Sequence, residues 1–187
     1  AGLDGEVQRV AMLAREKLAM SGVVLVDIDM ADVFELNSKL SSVIVAHEYR
    51  AALTGYLTAT GIRDVSHADI GARIASPDVK GAFGALISGT DPGAYREAIH
   101  VHRPALQKVY ADYFRANDVS GILFPTTVAP AIPIDPVNGS GHLPVAGAAA
   151  STFETMIRNT DPGSCAGIPG LSLFAGARYA EREIDPD

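Results

Sequence analysis

The sequence predicts an α/β fold in which a mixed β-sheet is covered by helices. Near the start of the chain, an amphipathic helical pattern over Glu6–Met20 leads through a glycine turn into the β-branched run Val23–Ile28. Two further short runs, Ile122–Phe124 and Leu171–Phe174, are largely apolar and unlike the alternating pattern of a sheet that faces water on one side. We therefore expect three short internal strands, with helices on both faces of the sheet and neighbouring strands on both edges.

Helical patterns occupy most of the chain between these runs. Ala31–Thr60 favours a helix, and a group of serines predicts a break in its first third. Ala94–Ala116 is also helical in pattern, and Pro104 predicts a kink or a restart within it. Three shorter helices are expected to begin at capping serines: Ser66, Ser76 and Ser151.

The segment Pro125–Gly147 has a different character. Its five prolines and three glycines are incompatible with a long helix or a central strand, so the sequence predicts a long irregular loop. Loops of this length inside compact domains are uncommon and usually functional or mobile. No linker divides the chain, and we interpret residues 1–187 as one contiguous part of a larger domain.

Composition excludes several classes of partner. The 187 residues are 48% hydrophobic and 20% charged, which is typical of a globular protein. A net charge of −7 and a pI near 5.1 argue against nucleic acid and anionic membrane as partners. One cysteine excludes an internal disulfide and fits a reducing compartment. With no signal-peptide pattern and no apolar run of about 20 residues, we expect a cytoplasmic protein.

Two blocks carry a resemblance to a known family. The more specific one is Arg158–Gly170, in which Asn-Thr-Asp-Pro-Gly-Ser breaks a helical pattern and is followed, after Cys165, by Ala-Gly-Ile-Pro-Gly. The other is Leu123–Pro130, a short apolar run ending in Pro-Thr-Thr. The chain resembles the C-terminal part of the amidase-signature hydrolases, most closely the mandelamide and indoleacetamide hydrolases. The resemblance implies the amidase-signature fold and hydrolysis of an aryl-acetamide-like amide to acid and ammonia, without cofactor or metal.

The catalytic residues of that family have no counterpart here. The family uses a Ser–cis-Ser–Lys triad, in which the base takes the proton of a serine that is otherwise a weak nucleophile. No Gly-Gly-Ser-Ser-Gly-like run is present, and Gly139-Ser140-Gly141 is too short. We therefore predict no catalytic residue in this chain and no activity of the chain alone. Its expected partners are a small-molecule amide and the N-terminal portion of the same enzyme, or a second copy.

The resemblance assigns this chain a part of the substrate-pocket wall. It implies that Pro125–Val128 passes near the acyl side of the substrate, and that Ser164–Pro169 lies close to the catalytic core. The candidate substrate-binding residues are Thr126, Thr127, Val128, Cys165 and Ile168. Threonine hydroxyls can orient an amide while Val128 and Ile168 contact an aromatic ring. Alternatively, the two threonines only hydrogen-bond the turn that follows a strand.

Other interpretations stay open. The chain departs from the family at Cys165, where relatives often have Asn, at Phe174, where they often have Pro, and in the charged tail Ala177–Asp187. It could be a non-catalytic binding or assembly module derived from the amidase fold. Cys165 could be a nucleophile paired with a histidine, although a lone cysteine is more often a small buried hydrophobe. His100 and His102 would point apart on a helix, which argues against a metal site.

Overall fold

The computed structural model describes residues 2–135, 137, 139–145 and 147–175. It contains helices α1 Gly5–Met20, α2 Ala31–Ser38, α3 Ser41–Ala59, α4 His67–Arg73, α5 Pro77–Ser88, α6 Pro92–Glu97, α7 Arg103–Asn117, α8 Thr152–Ile157 and α9 Asp161–Ala166, a π-helical turn Ala98–His102, and strands β1 His142–Val145 and β2 Ala148–Ser151. No helix in this part of the chain is long and apolar enough to cross a membrane. The tail Ala177–Asp187 lies outside the described residues.

Capping side chains begin several of these helices, as the sequence predicts. The Ser66 hydroxyl accepts from the Asp69 N–H at 3.1 Å, and the Asp69 carboxylate accepts from the Ser66 N–H at 2.8 Å, which forms a complete capping box for α4. The Ser151 hydroxyl accepts from the Glu154 N–H at 3.3 Å and begins α8. Ser76 is at the N-cap of α5 but its side chain makes no capping bond.

Two helix breaks lie where the sequence predicts them. A turn at Lys39 and Leu40 separates α2 from α3, within the first third of Ala31–Thr60. The second break is the π-helical turn before α7. At the end of this turn, the N–H of Arg103 donates to the carbonyl of Ala98, five residues earlier. The α-helix restarts with Pro104 in its first turn, where the missing N–H of proline leaves no bond unmade.

The larger hydrophobic core lies among α2, α3, α7, α9 and the π-helical turn. Its buried residues are Val33, Leu40, Ala98, Leu106, Tyr110 and Ala166. Leu40, Ala98 and Leu106 are completely buried. Each helix therefore buries one apolar stripe against the others, so the helices are held by packing rather than by a central sheet.

The smaller core lies under the β-hairpin. β1 pairs with β2 in antiparallel register, and Leu143 and Val145 pack with Ala129 below the hairpin. The prediction of an irregular loop over Pro125–Gly147 is wrong at this place, because residues 142–145 form a strand. Pro144 is tolerated because each strand of a two-stranded sheet is an edge strand, where a missing N–H leaves no neighbour unpaired.

The three predicted internal strands are wrong for this structure. Val23–Ile28, Ile122–Phe124 and Leu171–Phe174 form neither strand nor helix, and the described sheet is the two-stranded hairpin. Val24 is 85% exposed and Leu171 is 82% exposed. A strand exists only with a hydrogen-bonding neighbour, and the described part of the chain gives these segments none. The architecture is helix-rich with a small sheet, which is compatible with the α/β class.

Candidate functional site

The loop after the apolar run at residues 122–124 is tied to the second sequence block. The side-chain amide of Asn159 donates to the carbonyl oxygen of Pro125 at 2.8 Å. The hydroxyls of Thr126 and Ser172 lie 3.0 Å apart, within hydrogen-bonding distance. The Val128 carbonyl accepts from the Asp4 N–H at 2.9 Å, and its side chain is 1% exposed. The two blocks that carry the family resemblance therefore meet in space.

A cavity of about 210 Å³ lies beside this loop. Its lining residues are Val128, Val145, Ala150, Glu154, Thr155 and Arg158. Three of these residues are apolar, and the other three are polar residues of α8 and its C-cap. The guanidinium carbon of Arg158 also lies 5.7 Å from the ring centroid of Phe34, on α2. Such a cavity can hold a small apolar group next to a polar one.

Of the candidates Thr126, Thr127 and Val128, the structure places only Val128 in the wall of this cavity. The Thr127 hydroxyl donates to the carbonyl of Ala129 at 2.9 Å, a bond that closes the local turn. The Thr126 hydroxyl is engaged with Ser172. The Thr127 bond is of the kind that a turn role expects, whereas the Thr126 contact joins residues that are 46 apart in the sequence.

Cys165 and Ile168 pack elsewhere, at the edge of the larger helical core. Burial raises the pKa of the Cys165 thiol, and the nearby carboxylate of Asp161, with its Oδ1 3.7 Å from Sγ, acts in the same direction. A hydrogen bond with Ser41 acts against this shift. Because the thiolate is the nucleophilic form of cysteine, this environment works against a thiol nucleophile. The structure thus divides the candidate residues between two regions.

Three polar side chains that the sequence analysis did not identify hold the turn around Cys165. Gln107 Nε2 donates to the Ala166 carbonyl at 2.8 Å, and Asn37 Nδ2 donates to Asp161 Oδ2 at 2.5 Å. A Cβ atom on Gly167, where φ is +76°, would lie 3.2 Å from Arg103 Nη2, so the guanidinium lies directly against this glycine. Asn37, 8% exposed, carries a sequence signal, because it interrupts the apolar helical stripe of α2.

The histidines do not form a metal site in the described part of the chain. His100 and His102 both lie in the π-helical turn before α7, and His102 Nε2 is 3.7 Å from the Glu97 carboxylate. Within residues 2–135, 137, 139–145 and 147–175, no group of three or more His, Cys, Asp or Glu side chains could hold a metal ion.

Comparison with known proteins gives several curated relatives. The chain is 36% identical to an indoleacetamide hydrolase of Rhizobium radiobacter over 173 residues, which are 91% of this chain and 36% of the relative. It is 37% identical to the indoleacetamide hydrolase of Agrobacterium vitis, over 93% of this chain and 37% of the relative. It is 35% identical to the mandelamide hydrolase of Pseudomonas putida, over 97% of this chain and 36% of the relative.

These relatives confirm the resemblance to hydrolases of aryl-acetamide type that the two sequence blocks carry. The chain spans only 36–37% of the length of these relatives. No family model matches the chain. No solved structure matches it either.

Proposed function

We infer that this chain is the C-terminal part of an amidase that hydrolyses a carboxylic amide of aryl-acetamide type to the acid and ammonia. The observation that carries this proposal is the 35–37% identity, over 91–97% of the chain, to hydrolases named for indoleacetamide and mandelamide. In this proposal the chain supplies fold and pocket wall, and the serine, its bridging partner and the lysine base belong to the rest of the enzyme.

The cavity beside Val128 supports the assignment of a pocket wall. Its 210 Å³ is smaller than the roughly 300–1,000 Å³ of a typical small-molecule site, so it suits one part of a larger pocket. The apolar wall of Val128 and Val145 suits the hydrocarbon part of an acyl group. The polar residues Thr155 and Arg158 suit an amide or hydroxyl substituent.

The three unpaired apolar segments support a partner for this chain. Val24 in the first segment and Leu171 and Phe174 in the third are 82–85% exposed, and Leu123 in the second is 56% exposed, although runs of this kind are typical of strands with neighbours on both edges. In this proposal the N-terminal portion of the same enzyme provides those neighbours and completes a mixed sheet covered by helices. A second copy of the chain is the alternative partner.

A chimera tests the proposed function. The segment of the Pseudomonas putida mandelamide hydrolase that aligns with this chain is replaced by the chain itself, which is 35% identical to it over 197 aligned positions. Ammonia release from mandelamide, indoleacetamide and phenylacetamide is then measured for the chimera, the parent enzyme and the isolated chain. We expect turnover by the chimera and none above background by the isolated chain, because the activated serine and its base are absent from the chain.

The outcomes separate the alternatives. A chimera that melts cooperatively but hydrolyses none of the amides would contradict the amidase proposal and favour a binding or assembly module. Turnover by the isolated chain that disappears in Cys165→Ala would instead favour a thiol nucleophile.

An active chimera also tests Thr127. If this residue contacts substrate, Thr127→Val changes the relative rates among the amides more than it changes the stability of the protein. If it only closes the turn through Ala129, stability falls and the preference among amides does not change.

A further inference from the structure

A second cavity, of about 470 Å³, lies among α3, α4 and α5, and it shares no lining residue with the cavity beside Val128. Its volume is within the range of small-molecule sites. The residues that shape it are Arg50 from α3, His67 and Gly71 from α4, and Phe83, Gly84 and Ile87 from α5.

The floor of this second cavity is aromatic and fixed. Phe83 is 8% exposed, and the ring of Tyr49 meets it edge-on, at 89° with 5.9 Å between ring centroids. A Cβ atom on Gly71 would lie 3.1 Å from Phe83 Cε1, so the absence of a side chain there allows α4 to close onto the ring. Gly84 opens the space, because a Cβ atom there would meet no atom within 4 Å. The result is an apolar floor at which the edge of the largely buried Phe83 ring and the side chain of Ile87 line the cavity.

Arg50 places a positive charge at this cavity, although the chain carries a net charge of −7. No acidic residue lines it. Arg50 makes no ion pair with any residue that the structure describes. The hydroxyl of Ser66 is committed to the capping box, since it donates to Asp69 Oδ2 at 2.5 Å. An arginine without a carboxylate, at the rim of an apolar cavity, is complementary to a ligand with one anionic group.

We propose that this cavity binds a small aromatic monocarboxylate. The ligand ring lies on Phe83 and Ile87, and its carboxylate accepts hydrogen bonds from the Arg50 guanidinium. A single arginine favours one carboxylate over a phosphate ester, which usually collects several cationic or backbone donors. The proposal is independent of the amidase function, because it uses none of the residues assigned to the substrate pocket.

Ligand-observed NMR on the 187-residue chain tests the proposal, because saturation transfer measures binding to monomers and oligomers alike. The probes are phenylacetate, phenylacetamide, which keeps the ring and lacks the charge, and acetate, which keeps the charge and lacks the ring. We expect saturable binding of phenylacetate and at least about tenfold weaker binding of each of the other two, since hydrogen bonds to charged groups and ring contacts both contribute.

Two pairs of variants locate the site. Arg50→Gln should weaken phenylacetate binding by about five- to tenfold. Its control is Arg63→Gln, which removes an exposed arginine that does not line the cavity. This control should change phenylacetate binding by less than about twofold. Gly84→Leu should abolish binding by filling the cavity, whereas Gly81→Leu should not. Both glycines lie inside α5, and a Cβ atom on either would meet no atom within 4 Å, so both positions have room for a side chain.

Thermal melts of the four variants verify that each is folded. Phenylacetate affinity that is equal in the wild type, Arg50→Gln and Gly84→Leu would overturn the proposal. Equal binding of acetate and phenylacetate would also overturn it, because the aromatic floor would then contribute nothing.

Discussion

The side-chain amide of Asn159 donates a 2.8 Å hydrogen bond to the carbonyl oxygen of Pro125, across 34 residues of sequence. Asn159 belongs to the Arg158–Gly170 block and Pro125 to the Leu123–Pro130 block. The bond therefore joins the two segments that resemble the aryl-acetamide hydrolases. It also fixes the start of the loop that places Val128 in the wall of the smaller cavity.

Asn159→Ala tests the importance of this bond. The substitution leaves a half-buried carbonyl without its donor, and we expect a loss of about 1 kcal/mol in the free energy of unfolding. Urea denaturation measures this loss, and amide hydrogen exchange should accelerate in residues 125–129. Asn117→Ala is the matched control, because Asn117 makes a similar 2.9 Å bond to the carbonyl of Tyr113 within its own helix. Equal exchange in the loop for both variants would contradict the prediction.

The helices are largely predictable from sequence because their signals are local. The capping box of Ser66 and the position of Pro104 depend on residues within one or two turns, and the structure has both features as expected. Asp161-Pro162-Gly163 is a partial exception. It breaks the helical pattern as expected, but it also begins α9, with Pro162 in the first turn, where proline is favoured.

The strands and the site depend on distant residues, and this explains the errors. Val23–Ile28 has the composition of an internal strand, but a strand also needs a neighbour that the described chain does not provide. The sequence does not predict the hairpin of β1 and β2, because Pro144 argues against a central strand. Both strands of the hairpin are edge strands, however, and an edge strand can contain a proline. Sequence proximity likewise gives no sign that Arg158 shares a cavity with Val128.

Tyr113 provides a prediction about pH. Its hydroxyl lies 2.7 Å from Asp32 Oδ1 and 2.9 Å from the Asp29 carbonyl, and the hydrogen bond to Asp32 is the main reason that the Tyr113 pKa rises to about 12. An unfolded tyrosine has a pKa of about 10. The folded state thus holds the proton more tightly, so the contribution to stability is complete below about pH 10 and is lost as the pH rises towards about 12.

Tyr113→Phe should remove both the late titration of this hydroxyl and its contribution to the loss of stability at high pH. In a tyrosinate absorbance titration, the variant should lose one late-titrating group, and its stability should fall less steeply than that of the wild type above about pH 10. Tyr56→Phe is the control, because its ring is 63% exposed and lies outside this contact. A late absorbance step of the same amplitude in Tyr113→Phe and the wild type would show that another tyrosine is responsible.

Cys165 should react slowly with alkylating reagents. Burial, chiefly, raises the pKa of its thiol, so the reactive thiolate is scarce at neutral pH. We expect the rate of reaction with iodoacetamide to be at least about tenfold lower in the folded chain than in urea, and to rise with pH beyond the usual range of a free thiol. Because Cys165 is the chain's single cysteine, no other thiol interferes. Equal rates with and without urea at neutral pH would contradict this expectation.

The exposed apolar segments predict that the isolated chain associates. Val24, Leu171 and Phe174 are exposed on segments with the composition of internal strands, and uncovered segments of this kind pair with other chains. Light scattering over a concentration series should show a mass that increases with concentration, together with binding of a hydrophobic dye. Val24→Asp should reduce the association by adding charge within one of these segments.

Ile134→Asp is the matched control for this effect, because Ile134 is 88% exposed, close to the 85% of Val24, but lies outside the three segments. If exposed apolar area alone drives association, both substitutions reduce it equally. If strand-like pairing drives it, Val24→Asp has the larger effect, because a charge within a strand opposes edge-to-edge pairing. A monomer that melts cooperatively and binds no dye would show that the segments need no neighbour, and it would remove the support that they give to a missing part of the enzyme.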